Sequence, residues 1–239
     1  MEKSKKIKIY IGLFYLIIVS LFLFWFFTNF SIEEITNYKF IQTNREYFIN
    51  LKKKNLIIIS FIYILLTILW VLLLGFGSPV ALLGGFIFGK WLGSFLVVLG
   101  LTLGASLLYL FANYFLKDLI REKFLNKYQN LEMKFKKSEL FYLLIYRFIG
   151  GVPWQLSCLL PTIFNVRVSN FFIASLIGII PQIFLAVSIG SGLEKVIDQN
   201  SEVPGIFDII FTKEIYVPII AFFSLIIITF FFRKKFYKE

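Results

Sequence analysis

Apolar residues fill this chain in long blocks separated by short polar ones, and block length limits what each can be. Ile9 to Phe27 carries no charge, and a run of that length crosses ~30 Å of hydrocarbon at ~1.5 Å per residue. Leu56–Leu74, Ser94–Leu116, Val168–Ile189 and Ile215–Phe232 have the same character. The pattern predicts an all-α polytopic membrane protein with about five spanning helices. Tyr10 and Trp25 stand near the two interfaces of the first span, where amphipathic rings gather. Between the first two spans, Thr28–Asn55 is polar, with Glu33, Glu34, Arg45, Glu46 and Lys52 to Lys54. Ile35, Tyr38, Ile41, Tyr47 and Phe48 are spaced loosely like one apolar face, so a surface helix and a solvated linker both fit.

Two apolar stretches break the helical pattern. In GFGSPVALLGGFIFGKWLG, glycines at 75, 77, 84, 85, 89 and 93 accompany Pro79. Gly costs ~1 kcal/mol and Pro ~3 kcal/mol relative to Ala in a helix interior, yet the segment is too apolar for an aqueous loop. A re-entrant helical hairpin near 75–93 resolves the conflict. Gly85, Gly89 and Gly93 recur at the small-xxx-small spacing that lets helices approach closely. The second stretch, near 142–164, places Arg147 inside an apolar run and then breaks the run at Gly150, Gly151, Pro153 and Pro161. Non-helical backbone survives at membrane depth only where protein or a water-filled cavity satisfies it, and an ionisable residue there points to function.

The two stretches form a weak internal repeat. Pro79 precedes an apolar half-helix, Lys90 and a glycine-bearing span; Pro153 precedes an apolar half-helix, Arg167 and a glycine-bearing span. Paired interruptions of this kind mark transport sites. Lys117–Glu139 carries a net charge of +3 and Ser191–Glu214 a net charge of −3, which sets the first inside and the second outside. The hairpins then enter from opposite faces, an inverted repeat with tips meeting near the midplane. Five spans set the termini on opposite sides although both tails are basic. Either the first span disobeys the charge rule, or Thr28–Asn55 holds further membrane structure. The implied units are an N-terminal anchor and linker (1–55), a membrane core (56–193), and an exterior loop, last span and cytoplasmic basic tail (194–239).

Composition agrees and narrows the chemistry. The chain is 59% hydrophobic, against ~45–50% in soluble domains. Its net charge of +11 reads as membrane-facing loops meeting anionic headgroups rather than as a nucleic-acid surface. With no histidine and one cysteine, Cys158, the chain has no Ser-His-Asp relay, His-ligated metal or internal disulfide. Lacking clustered acids as well, it offers no evident nucleophile or metal set, so an enzyme is not expected and no cofactor is implied.

GSPVALLGGFIFGKWLG, a basic loop, and then YRFIGGVPWQLSCLLPTIFNVRVSNFFIASLIGIIPQIF together resemble the DedA superfamily, specifically the bacterial branch of the VTT-domain (SNARE-associated Golgi protein) membrane proteins. The likeness covers Leu74 to Leu193. It implies two opposed re-entrant hairpins ringed by membrane helices, residence in the bacterial cytoplasmic membrane, and movement of lipids between leaflets. It matches Arg147 to the family's arginine ahead of the hairpin proline, Pro153 to that proline, Gly85, Gly89 and Gly93 to the first-hairpin glycines, and Gly178 and Pro181 to the pair in the following span. Two departures stand out. Cys158 occupies a position often polar in relatives, and Leu72 to Lys90 holds no carboxylate that could couple transport to protons.

The expected function is translocation of phosphate-bearing lipids, phospholipid or polyprenyl phosphate. The candidate substrate residues are Arg147, Gly150, Gly151, Pro153, Gln155, Ser157, Pro79, Gly85, Gly89, Gly93, Gly178 and Pro181, with Gln182 as a further polar lining. Arg147 is the phosphate partner in this reading, since a guanidinium stays charged and forks onto phosphate oxygens. A structural Arg147, bonded to carbonyls or snorkelling, is the alternative. Lys90 and Arg167 read as interfacial anchors. The partners are membrane lipids with anionic headgroups, with room for a homo-oligomer. An ion-coupled small-solute transporter and a non-transporting envelope scaffold are the competing functions.

Overall fold

The computed structural model describes residues 2–29, 50, 55–115, 117, 136, 138–149 and 152–199, with isolated positions between 211 and 224. The expected last span and most of both charged loops therefore lie outside the described residues. Every described element is helical: α1 (Glu2–Asn29), α2 (Leu56–Leu72), α3 (Gly77–Phe115), α4 (Glu139–Ile149), α5 (Trp154–Leu159) running into a 3₁₀ turn (Leu160–Phe164), α6 (Val168–Gly178) and α7 (Ile180–Gln199). Asn55 caps α2, its side chain accepting the Ile58 N–H at 3.2 Å, which satisfies one donor the helix start leaves free.

Helix α3 is not one rod. Gly89 has φ 75° and ψ 177°, a region essentially reserved for glycine, and the chain reverses there. A Cβ on Gly93 would lie 2.5 Å from the Gly84 carbonyl oxygen, one on Gly84 would lie 2.5 Å from Val97, and one on Gly77 would lie 3.6 Å from Leu101. A short arm, 77–88, is thus folded antiparallel on a long arm, 90–115. At ~1.5 Å per residue the arms measure ~18 and ~39 Å. Taken whole, α3 is the one described helix long and apolar enough to cross a membrane; with the reversal counted, the long arm alone has that reach.

A second reversal precedes the short arm, at 73–76. Tyr63 of α2 donates to the Val80 carbonyl at 2.5 Å, while Thr67 faces Gly100 and Val71 faces Gly104. Helix α2 therefore runs parallel to the long arm and antiparallel to the short one. The sequence placed one hairpin over 75–93. The chain instead turns at both ends of the short arm, and α2 stops at Leu72 rather than Leu74. The physical reason lies in Leu74 and Gly75. Leu74 adopts a left-handed φ of 59°, and Gly75 lies against Trp70, leaving no room for a side chain. Trp70 Nε1 then donates to the Phe76 carbonyl at 2.8 Å and latches the turn.

The fourth expected span is also divided. Val168–Gly178 and Ile180–Gly192 meet at a bend of 43°. Pro181 lacks an N–H and its ring excludes the carbonyl four residues back, which ends a helix. Helix α7 lies on the short arm, where a Cβ on Gly85 would land on the Val187 carbonyl and one on Gly190 on the Leu82 carbonyl. Helix α1 is tied to this body by the Tyr15 hydroxyl, which donates to the Leu72 carbonyl, and by the Tyr15–Phe111 ring pair at 4.3 Å. Outward-facing α1, α2 and the long arm present Phe14, Leu21, Phe24, Ile57, Phe61, Phe95 and Leu107 fully or largely exposed, an apolar coat far broader than soluble monomers carry.

Gly89 offers a clean test of the reversal. A Cβ there would meet nothing within 4 Å, so Gly89→Ala should cost only backbone strain, ~1–3 kcal/mol. Gly77→Ala, in a helical position with ordinary contacts, should be neutral or better. Thermal unfolding in detergent separates the two.

Candidate functional site

Arg147 lies in the last turn of α4, where a cation suits the exposed carbonyl ends. It is 4% exposed. Gly178 allows this burial: a Cβ there would sit 2.6 Å from the arginine Cβ, so α6 passes directly over the stem. Asn170 donates to Glu139 at 3.1 Å, eight residues earlier on both helices, so α4 and α6 run parallel.

Among the described residues the guanidinium meets no acid. Nη1 donates to Ser157 Oγ at 2.7 Å, and that hydroxyl donates onward to the Trp154 carbonyl at 2.7 Å. Nη2 points to Cys158 Sγ at 3.7 Å. Its central carbon stands 5.2 Å from the Trp154 ring centre and 4.9 Å from that of Phe171, cation–π distances on two sides. Nε has no partner, nor do Trp154 Nε1 and the Tyr146 hydroxyl beside it in sequence. Glu139, the carboxylate at the far end of α4, is engaged elsewhere, accepting the Arg167 N–H at 2.6 Å and the Asn170 amide. A buried charge normally has a partner, because desolvation costs several kcal/mol per ion (about that order). Here rings and two weak neutral acceptors stand in its place.

The Arg147–Ser157 bond joins residues ten apart, which requires the chain to double back between α4 and α5. Pro153 opens α5, with φ −48°, a helix-start position where its missing N–H costs nothing; its carbonyl accepts the Ser157 N–H at 2.9 Å. Gly150 and Gly151 lie outside the described residues. At the other side of the site, Gln182 Nε2 donates to the Arg147 and Phe148 carbonyls, each at 2.8 Å, satisfying acceptors that the end of α4 leaves bare.

This turn touches the first one. Gln155 Nε2 donates to the Leu74 carbonyl at 2.8 Å, and the Trp154 ring lies 3.9 Å from a Cβ built on Gly77. The turn at 73–76 and the start of α5 thus abut beside Arg147. Of the sequence candidates, Arg147, Gln155, Ser157, Gly178 and Pro153 gather here. Gly85 and Gly93 contact α7 and the other arm of α3 rather than Arg147, and Gly89, at the reversal, faces open space. Pro79 sits exposed in the first turn of α3, and Pro181 marks the bend before Gln182. Sequence reasoning missed the two aromatic walls. Trp154 stood next to Pro153, but Phe171 could be found only as the member of a Phe171–Ser175–Gly178 face that meets Arg147.

Comparison with known proteins matches the VTT domain over residues 71–192. The chain is 33% identical over 115 residues to the uncharacterized protein YqeD of Bacillus subtilis, covering 47% of this chain and 55% of that one. It is 33% identical over 132 residues to the transmembrane protein 41 homolog of Dictyostelium discoideum, covering 53% of this chain and 38% of the other. The chain thus spans about half or less of the length of these curated relatives. No solved structure matches.

Proposed function

The chain belongs to the VTT-domain family, a family of membrane proteins, and from that premise we propose that it moves phosphate-bearing lipids between the leaflets of a bilayer. In this reading the turn at 73–76 and the start of α5 after Pro153 belong to re-entrant segments that dip from opposite faces and meet inside the hydrocarbon. The long arm of α3, α1, the α6–α7 pair and the final apolar run cross it. A lipid's tails need not leave the hydrocarbon, whereas its phosphate cannot cross unaided. A protein lowers that barrier by offering the headgroup a polar seat at depth.

The observation that carries the reading is Arg147: a buried guanidinium with no carboxylate among the described residues and one N–H unpartnered. It stands where two irregular backbone segments touch. An anionic phosphate oxygen is the partner this cation lacks among the described residues. The absence of an acid beside Arg147 favours a carrier that responds to the lipid gradient over an ion-coupled pump, which would want an intramembrane carboxylate.

The test uses purified full-length protein in vesicles containing tail-labelled lipids of several headgroups, a polyprenyl phosphate included, with dithionite bleaching the outer leaflet. Bleaching beyond the outer-leaflet share, in proportion to protein, is expected. Bleaching no deeper than in protein-free vesicles for every headgroup overturns the proposal.

A further inference from the structure

One face of the long arm is polar, and the arginine site does not account for it. Thr102, Ser106, Tyr109, Asn113 and, two residues past the end of α3, Lys117 recur at three-, four- and seven-residue steps that keep them on one side of a helix. Gly100 and Gly104, which pack against Thr67 and Val71 of α2, lie on the opposite side. The polar face therefore looks away from α2 and toward the second turn region. Two contacts show this. The Tyr109 hydroxyl donates to the Val166 carbonyl at 2.6 Å, and Lys117 Nζ donates to Asn165 Oδ1 at 2.6 Å. At the other end Trp154 borders Gly77 of the short arm, as Leu101 does. The segment returning from α5 thus meets the far half of the face, and its start lies close to the near half.

The hydroxyls on this seam are left unmade. Thr102 is fully buried and Ser106 is 7% exposed, yet Thr102 Oγ1, Ser106 Oγ and Asn113 Oδ1 have no partner among the described residues. Across the seam the same holds for Thr162 Oγ1 and for Ser175 Oγ, the latter one turn from Phe171 on the face that meets Arg147. Other helical hydroxyls bond the carbonyl four residues back, as Thr67 does to Tyr63 at 2.8 Å and Ser94 to Lys90 at 2.5 Å; away from the seam, Ser188 of α7 also lacks a partner among the described residues. Each buried hydroxyl left unpaired costs ~1–3 kcal/mol. A seam that collects several of them, with Arg147 Nε, is built for occupants that supply the missing bonds.

We propose that this seam is a hydrated headgroup path leading from Arg147 to the Lys117–Asn165 pair at the end of the long arm. The headgroup as its traveller rests on the reading of Arg147 given above; the water does not. Tyr109 interrupts the path, stacked on Phe171 at a ring distance of 4.5 Å, and Phe171 also walls the guanidinium. The Tyr109–Phe171 pair is thus the constriction between an inner half at Thr102, Ser106 and Ser175 and an outer half at Asn113 and Lys117.

Substituted cysteines test this in full-length protein reconstituted in vesicles, in a Cys158→Ser background. Thiols react as thiolates, which form only in water. An impermeant methanethiosulfonate should modify Ser106→Cys and Asn113→Cys roughly tenfold or more faster than Leu107→Cys on the outward apolar face. A soluble short-chain phosphatidate should slow modification at Ser106→Cys. Equal rates on both faces overturn the path, whatever the vesicles do with lipid. Fast labelling that the phosphatidate leaves unchanged overturns the headgroup as traveller. Fast, protected labelling in protein that moves no lipid upholds the path and removes the translocation reading instead.

Discussion

Arg147→Gln is expected to reduce leaflet equilibration to the protein-free rate while leaving a folded protein. Glutamine keeps a polar head at the depth of the arginine Nε but gives up the Nη1 bond to Ser157 Oγ, and it carries no charge for a phosphate. Removing a charged partner of a buried anion costs on the order of 2–5 kcal/mol, which is a slowing of roughly thirtyfold or more. Arg147→Lys separates charge from shape. An ammonium keeps the charge, yet it cannot lie flat between Trp154 and Phe171 or fork onto two oxygens, so partial activity is expected. If Arg147→Gln moves lipid like the wild type, the arginine is a packing element. Its stability should then fall instead, because the cation–π contacts at 5.2 and 4.9 Å would be its whole purpose. Leaflet assay and thermal unfolding measured on the same preparations therefore distinguish the two roles.

Part of this site was legible because breaks are local. Gly150, Gly151 and Pro153 after an arginine announce a turn from composition alone, and the Gln155–Leu74 bond sets the start of α5 against the turn at 73–76. What was not legible depends on tertiary context. Three glycines at four-residue spacing encode close approach equally, and nothing in the sequence marks Gly89 rather than Gly85 or Gly93 as the reversal. Leu74 in a left-handed conformation runs against its own preference, and only Trp70 and Gln155 around it make the turn begin there. Phe171 is one of 31 phenylalanines, and its place beside Arg147 follows from the parallel run of α4 and α6. The polar seam had a signal that went unread. Gly100 and Gly104 drew attention to one face of the long arm, while Thr102, Ser106 and Asn113 stood at helical spacing on the other.

The largest loss of stability is expected at the seam between the short arm and α7. Gly85 and Gly190 form a reciprocal pair: the first faces the Val187 carbonyl and Ser191 nitrogen, the second the Leu82 carbonyl. Each would drive a side chain into backbone, which cannot rotate away as a flexible side chain does. Overpacking of a tight core costs ~1–3 kcal/mol, and a backbone obstacle belongs at the upper end. Gly85→Val should therefore lower the thermal midpoint in detergent more than Gly89→Ala, whose cost is backbone strain alone, although both replace a glycine in the same helix. Gly85→Val with Gly190→Val should cost less than the two separately, because the first valine already parts the helices and leaves room for the second. Strict additivity would mean the two sites do not share one seam. Should Gly85→Val unfold at the wild-type temperature, the short arm does not lie on α7. The turn at 73–76 would then lose the support that holds it against Gln155.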